Sequence, residues 1–300
     1  MMGFAFCLFV ATRKRQQAAA LQIRNPSFVI RNQCGVDMTR IGEKFRDLKH
    51  KNAKAFIPFI MAGDPDLETT VKLVPELENA GSHIVELGIP FSDPVADGPI
   101  IQRAALRALQ HRYRMSDYLG AVEAIRRKCD VPLLLFSYYN PIYQYGLERL
   151  AREAHAAGID GILVTDITPE ESEAYLASAD LHDLDAVFLA APTSSAERIS
   201  MIAKCSRGFV YVVSRTGVTG VQQRLSDAIL PTVERVRRHT QLPVAVGFGI
   251  SKPEQVRAVW EVSDGAVVGS AIVAAMEQAT DARTLPSAVR EFCRSLIPTQ

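Results

Sequence analysis

Val85-Glu86-Leu87-Gly88-Ile89-Pro90-Phe91-Ser92-Asp93-Pro94-Val95-Ala96-Asp97-Gly98-Pro99 runs from a β-branched apolar segment into a turn rich in proline and aspartate, and a helix-period stretch follows. The same theme recurs along the chain after Met38, one cycle taking about 25 to 40 residues. Candidate strands are Phe56 to Met61, His83 to Leu87, Pro132 to Phe136, Gly161 to Thr165, Ala186 to Ala190, Phe209 to Val213, Pro243 to Val246 and Ala266 to Val268. Alternating strands and helices imply a parallel sheet covered by helices, and near-continuous apolar strands suit a sheet buried on both faces. Eight units in about 260 residues match a closed (β/α)8 TIM barrel of the α/β class. A doubly wound open sheet uses the same units in a different strand order, so periodicity favours the barrel without excluding the open form. Helix starts agree with the placement: Asp66 precedes LETTVKLVPEL, and Ser251-Lys252-Pro253-Glu254 opens a helix with a cap and an early proline.

The composition supports a packed globular protein. Of 300 residues, 48% are hydrophobic and 22% charged, which excludes disordered and collagen-like classes. With 34 basic against 33 acidic residues and no basic run longer than Arg13-Lys14-Arg15 or Arg126-Arg127-Lys128, nucleic-acid binding has no electrostatic footprint. Five scattered cysteines, never in a C-x-x-C pair, argue against a disulfide framework or a zinc site and fit a reducing compartment.

Residues 1–37 form a separate basic leader, with five basic residues and no acid up to Val36. Its apolar run, Gly3 to Thr12, is too short for a membrane span of about 20 residues, and its charges follow that run instead of preceding it as in a secretory signal. The leader is therefore expected to lie outside the fold, disordered or not native, as an organellar transit segment or an over-extended start before Met38. Residues 38–300 are expected to form one barrel domain, cytoplasmic, or plastid if the leader is a transit segment.

In a barrel, the loops after the strands line the active-site face. Glu86 is an acid within an apolar strand, where loss of water raises a carboxyl pKa as a general acid/base requires. The bland alternative has it facing solvent or a structural lysine. Asp97 is as compatible with turn and capping chemistry as with catalysis. A second cluster is glycine-rich: Ser214-Arg215-Thr216-Gly217-Val218-Thr219-Gly220, Gly247-Phe248-Gly249-Ile250-Ser251 and Gly269-Ser270-Ala271 follow the sixth, seventh and eighth strands. Backbone N–H groups in such loops, with a helix start nearby, favour a phosphorylated ligand. There is no nucleotide P-loop, no H-E-x-x-H and no G-x-S-x-G, and six scattered histidines lack ligand spacing. His83 and Tyr211, each taken alone, read as packed residues with satisfied polar tips.

Phe59-Ile60-Met61-Ala62-Gly63-Asp64-Pro65-Asp66, the Glu86 to Pro99 run and Ser214 to Gly220 closely resemble the tryptophan synthase alpha chain, from about Thr39 to about Ala275. The resemblance implies a (β/α)8 barrel that cleaves indole-3-glycerol phosphate into indole and glyceraldehyde 3-phosphate. It implies no cofactor and no metal in this chain, and a beta-chain partner carrying pyridoxal phosphate in an alpha2beta2 heterotetramer. It matches Glu86 to the catalytic glutamate, Asp97 to the aspartate that accepts the indole N–H, and Tyr211 to an orienting tyrosine. Gly220, Gly249, Gly269 and Ser270 match phosphate-binding positions. Gly217 and Thr219 fall in a loop thought to close over the substrate, with Thr219 touching Asp97. Such roles need Glu86 able to hold a proton while Asp97 is ionised. Pro90 and Asp93 lie in the loop expected to face the partner, and Ala105 stands where some members carry a polar residue, a difference expected to touch partner contacts.

Other readings remain open at this point. A stand-alone lyase releasing free indole keeps the same catalytic residues. A Schiff-base aldolase needs a lysine at a strand end, for which Lys54 and Lys204 are poorly placed. A non-enzymatic regulatory subunit has no need of an intact Glu86 and Asp97.

Overall fold

The computed structural model describes residues 39–213, 225–247, 249–279, 281 and 283–298. Nine strands are described: β1 (Ala55–Met61), β2 (Val85–Gly88), β3 (Leu133–Ser137), β4 (Gly161–Val164), β5 (Asp185–Val187), β6 (Leu189–Ala190), β7 (Val210–Val213), β8 (Val244–Gly247) and β9 (Gly265–Val268). All pair in parallel in the order β5-β4-β3-β2-β1-β9-β8-β7-β6. The two ends of that order are one stretch of chain. Phe188 alone separates β5 from β6, its carbonyl accepts from Tyr211 N–H at 3.1 Å, and the Ala186 carbonyl accepts from Arg207 N–H at 2.8 Å. The expected fifth strand is thus bonded on both sides, and the sheet closes into a (β/α)8 barrel. This ring excludes the open doubly wound sheet, which would leave two unrelated edges. Strand boundaries otherwise fall within two residues of the expected ones.

Alternation in each strand sends one set of side chains inward. Ile57, Ile84, Leu134, Leu163, Val187, Phe209, Ala245 and Val267 form the interior cluster. At its N-terminal end the barrel is plugged by α1 (Arg40–His50). Ile41, Phe45 and Leu48, one helical face at i, i+4 and i+7, are buried in the same cluster, with Phe45 and Phe209 ring centroids 5.6 Å apart. Thr39 caps this helix by accepting from Gly42 N–H, and its hydroxyl donates to the buried Asp185.

The helices that matter for the opposite end are α2 (Leu67–Asn79), α3 (Pro99–Leu109), α4 (Met115–Arg126), α5 (Tyr139–Tyr145), α6 (Leu147–Ala157), α7 (Glu173–Leu181), α8 (Ala196–Cys205), α9 (Leu225–Arg237), α10 (Pro253–Val262), α11 (Ser270–Gln278) and α12 (Leu285–Leu296). Asp66 caps α2 as expected, accepting from Thr69 N–H at 2.6 Å. At α10 the cap is Lys252, not Ser251: Gln255 Oε1 reaches back to accept from both the Ser251 and the Lys252 N–H. A side chain three residues into the helix does the work assigned to the serine. Among the described residues no helix is long and apolar enough to cross a membrane, and no group of three or more His, Cys, Asp or Glu is placed to hold a metal ion.

Candidate active site

Glu86 is two residues beyond Ile84, so alternation turns it into the barrel interior. Its register neighbours are Phe59 on β1 and Leu134 on β3. It is 1% exposed, and its Oε1 finds no hydrogen-bond partner among the described residues. Burial alone pushes its carboxyl up to about 8, so the group is largely protonated at neutral pH. A buried, unsatisfied oxygen costs stability, on the order of 1–3 kcal/mol. Among the described residues it is buried from solvent and pairs with no lysine, which disposes of the bland alternative.

Tyr211, on β7, enters the same interior and is buried. Burial raises its phenol well above the ordinary value, and the charge of Glu86 raises it further, so the two groups lie within electrostatic reach. Phe59 and Phe136 meet edge to face at 5.2 Å near Glu86 and form an apolar wall.

Asp97 lies in the loop between β2 and α3, half-buried. Burial raises it to about 6, opposed by a hydrogen bond with the Tyr138 hydroxyl. It is therefore mostly ionised at pH 7, though closer to titrating than an ordinary loop aspartate. The Tyr138 oxygen also accepts from Ala96 N–H at 3.0 Å, and its ring lies 5.3 Å from that of Phe91. Sequence reasoning passed over Tyr138. The available signal was its position directly after β3, on the loop face of the barrel.

The glycine loops after β8 and β9 flank a helix start. Gly249 has φ +41° and is exposed, a backbone state that disfavours larger side chains. Gly269 caps α11, its carbonyl accepting from Ile272 and Val273 N–H, and no side chain caps that terminus. At α10, Gln255 accepts instead from the Ser251 and Lys252 N–H, which precede the helix. The start of α11, with Ser270 as its first residue and no side chain capping it, is a terminus suited to an anion. Space does not demand glycine at 269, since an added methyl would meet Phe59 at 3.5 Å, an ordinary contact. That same neighbour connects the two parts of the site, because Phe59 pairs with Glu86 in register. Gly217, Thr219 and Gly220 lie outside the described residues.

The family model for the tryptophan synthase alpha chain matches residues 45–297. The curated alpha chain of Solibacter usitatus is 50% identical over 259 residues, covering 86% of this chain and 97% of its own length. That of Geobacter sulfurreducens is 48% identical over 260 residues, covering 85% and 98%. The chain belongs to the tryptophan synthase alpha-chain family. Among solved structures, tryptophan synthase subunit alpha from Legionella pneumophila superposes with a TM-score of 0.80 at 37% identity, covering 87% of this chain and 97% of that one. A chain of tryptophan synthase from M. tuberculosis does so with 0.78 at 34%, covering 88% and 100%. As a tryptophan synthase alpha chain the protein is a carbon–carbon lyase, catalysing the cleavage of indole-3-glycerol phosphate in tryptophan biosynthesis.

Two expectations for this alpha chain, those for Ala105 and Pro90, change on contact with the fold, while those for Lys54, Lys204 and His83 stand. Ala105 is 1% exposed in the packing of α3, so it cannot touch a partner directly. Pro90 is likewise buried, leaving Asp93 exposed in that loop. Lys54 pairs with Asp264 at 3.4 Å before β1, at the plugged end, and Lys204 points outward on α8, so neither serves a Schiff base. His83 is structural as read: its Nδ1 accepts from Phe56 N–H at 3.0 Å, and burial lowers it to about 4, keeping the ring neutral.

Proposed function

We propose that Glu86 and Asp97 divide the cleavage of indole-3-glycerol phosphate between them, because their surroundings push their pKa values apart. The observation that carries this is the pair of carboxyls at one barrel end, the buried one at about 8 and the half-buried one at about 6. Between those values Glu86 holds a proton and Asp97 is charged.

Protonated Glu86 delivers its proton to indole C3, and the ring nitrogen takes on positive charge as the iminium forms. Asp97 accepts the indole N–H and stabilises that charge. Glu86, now a carboxylate, takes the proton of the side-chain hydroxyl adjoining C3. As that O–H bond breaks, the carbonyl of glyceraldehyde 3-phosphate forms, the bond to C3 breaks, and its electron pair restores the aromatic indole. Protons balance: Glu86 ends as it began. Tyr211 orients the Glu86 carboxyl, Phe59 and Phe136 lie against the indole, and Gly249, Gly269 and Ser270 take the phosphate at the α11 start.

The reading extends to a beta chain that receives the indole and carries pyridoxal phosphate, in an alpha2beta2 assembly. Support is the likeness to chains of solved tryptophan synthase, two of them in aminoacrylate-bound forms. Among the described cysteines Cys129, Cys205 and Cys293 are free, in keeping with a cytoplasmic setting. The activity resides in the barrel from Met38 onward, without residues 1–37.

The test is the rate of indole release from indole-3-glycerol phosphate by the full chain and by a chain starting at Met38, with and without a tryptophan synthase beta chain. Slow release alone, acceleration by the beta chain, and loss in Glu86→Gln and Asp97→Asn are expected. Retained turnover in Glu86→Gln would overturn the proton-transfer scheme.

A further inference from the structure

Two helices, not one, follow β2 and β9: α3 precedes α4, and α11 precedes α12. The first of each pair packs against the other. Ile101, Ala104, Ala105 and Ala108 of α3 form one buried cluster with Val273 of α11, over Phe59 and Met61 of β1. The small alanines let the helices approach closely. Each helix begins at a functional end of the site, α3 two residues after Asp97 and α11 at Ser270.

The same two helices are joined by a chain of ion pairs. Arg107 on α3 grips Asp64, which follows β1 and is 3% exposed, through two bonds of 2.8 Å, Nε to Oδ1 and Nη2 to Oδ2. Its remaining Nη1 donates to Glu277 on α11 at 2.8 Å. Arg103, one turn earlier on α3, holds Glu277 by a second fork at 2.8 and 2.7 Å. Both arginines keep Glu277 ionised, down to about 2. The exposed pairs to Glu277 add little stability. Bidentate forks do add geometric restraint, and here one bracket fixes α3 to α11 and both to the end of β1.

We propose that Arg103, Arg107, Glu277 and Asp64 form a positioning bracket that sets the separation between Asp97 and the α11 N-terminus, and so the length of substrate the site accepts. This rests on the reading that the indole end meets Asp97 and the phosphate end meets α11. A ligand occupying one end does not sense the separation; a ligand spanning both does.

The experiment uses the full chain with Glu277→Gln and, separately, Arg103→Met, which breaks the α11 fork while leaving the buried Asp64–Arg107 pair intact. Affinities for inorganic phosphate and for indole, each alone, are compared with KM and kcat for indole-3-glycerol phosphate. One-ended affinities are expected to change less than about twofold, while KM for the substrate rises about five- to tenfold, within the roughly two- to thirtyfold by which contacts remote from a ligand modulate coupling. An unchanged KM in both folded variants overturns the bracket, as does an equal fall in the one-ended affinities. Failure of the unaltered chain to cleave the substrate overturns instead the reading of the site, and the bracket with it.

Discussion

The Tyr211 hydroxyl fills the space in which a side chain at Gly247 would begin: a methyl there would stand 2.2 Å from the phenolic oxygen and 2.8 Å from the adjoining ring atoms. Gly247 ends β8, next to β7, and the ring it admits is the one that senses Glu86. Gly247→Ala must therefore displace the ring that lies within electrostatic reach of Glu86. Activity should fall about 100-fold, the scale of a 1 Å misplacement, while stability drops by about 1–3 kcal/mol from overpacking. Tyr211→Leu in the same chain removes the clash, so the double variant should be more stable than additivity of the single changes allows. Purely additive unfolding free energies would show that the backbone, not Tyr211, absorbs the methyl.

The pH profile follows from the two carboxyls. In the proposed scheme Asp97 must be charged, so kcat/KM should decline as pH falls through about 6. In the same scheme Glu86 must hold a proton, so kcat/KM should decline as pH rises through about 8. The free-enzyme profile is thus a bell with its plateau near pH 7. Its measurement from pH 5 to 9 decides the matter: a level alkaline limb is incompatible with Glu86 as the acid.

Most of this architecture could be read from periodicity, because strands buried on both faces, such as Val210 to Val213, leave a continuous apolar signature. Closure could not. It rests on the stretch from β5 to β6 bonding on both sides, with Phe188 accepting from Tyr211 of β7, and strand order carries no local sequence signal. Glu86 was legible because a carboxylate in an apolar strand conflicts with packing, and such conflicts mark function. Tyr138 was not, since a tyrosine after a strand conflicts with nothing and its bond to the Asp97 loop spans 42 positions to Ala96. The burial of Ala105, expected only to touch partner contacts, was not legible for a related reason: helix periodicity does not reveal that α11 covers that face.

Keeping Glu86 buried has a thermodynamic consequence with a definite sign. Its folded pKa is raised from the ordinary carboxyl value of 4.5 to about 8. The folded state therefore holds the proton more tightly than the unfolded chain. Relative stability is full below about 4.5 and is lost as pH rises toward 8. Glu86→Gln should remove that loss, leaving a variant more stable than the parent by about 2–4 kcal/mol at pH 8.5. Near pH 4.5 the advantage should vanish. Denaturant unfolding at the two pH values checks this, and a constant difference would mean that Glu86 does not titrate through burial.

Tyr138 offers the sharpest separation of the two carboxyls, because its hydroxyl bonds to Asp97 and opposes the effect of burial there. Tyr138→Phe keeps the ring against Phe91 and removes only that oxygen. Without it Asp97 holds its proton more readily, and the acid limb of the profile should move upward by about one pH unit. The alkaline limb, set by Glu86 inside the barrel, should stay in place. Turnover at pH 6 should consequently fall several-fold more than at pH 7.5, and the loss at pH 6 should be recovered by raising the pH. The Ala96 N–H loses its acceptor, so a stability cost of about 1–2 kcal/mol accompanies the change. That cost lowers the unfolding midpoint at every pH, whereas the catalytic effect is confined to the acid side. A uniform rate loss across the profile would place Tyr138 in the support of the loop alone, with no influence on the ionisation of Asp97.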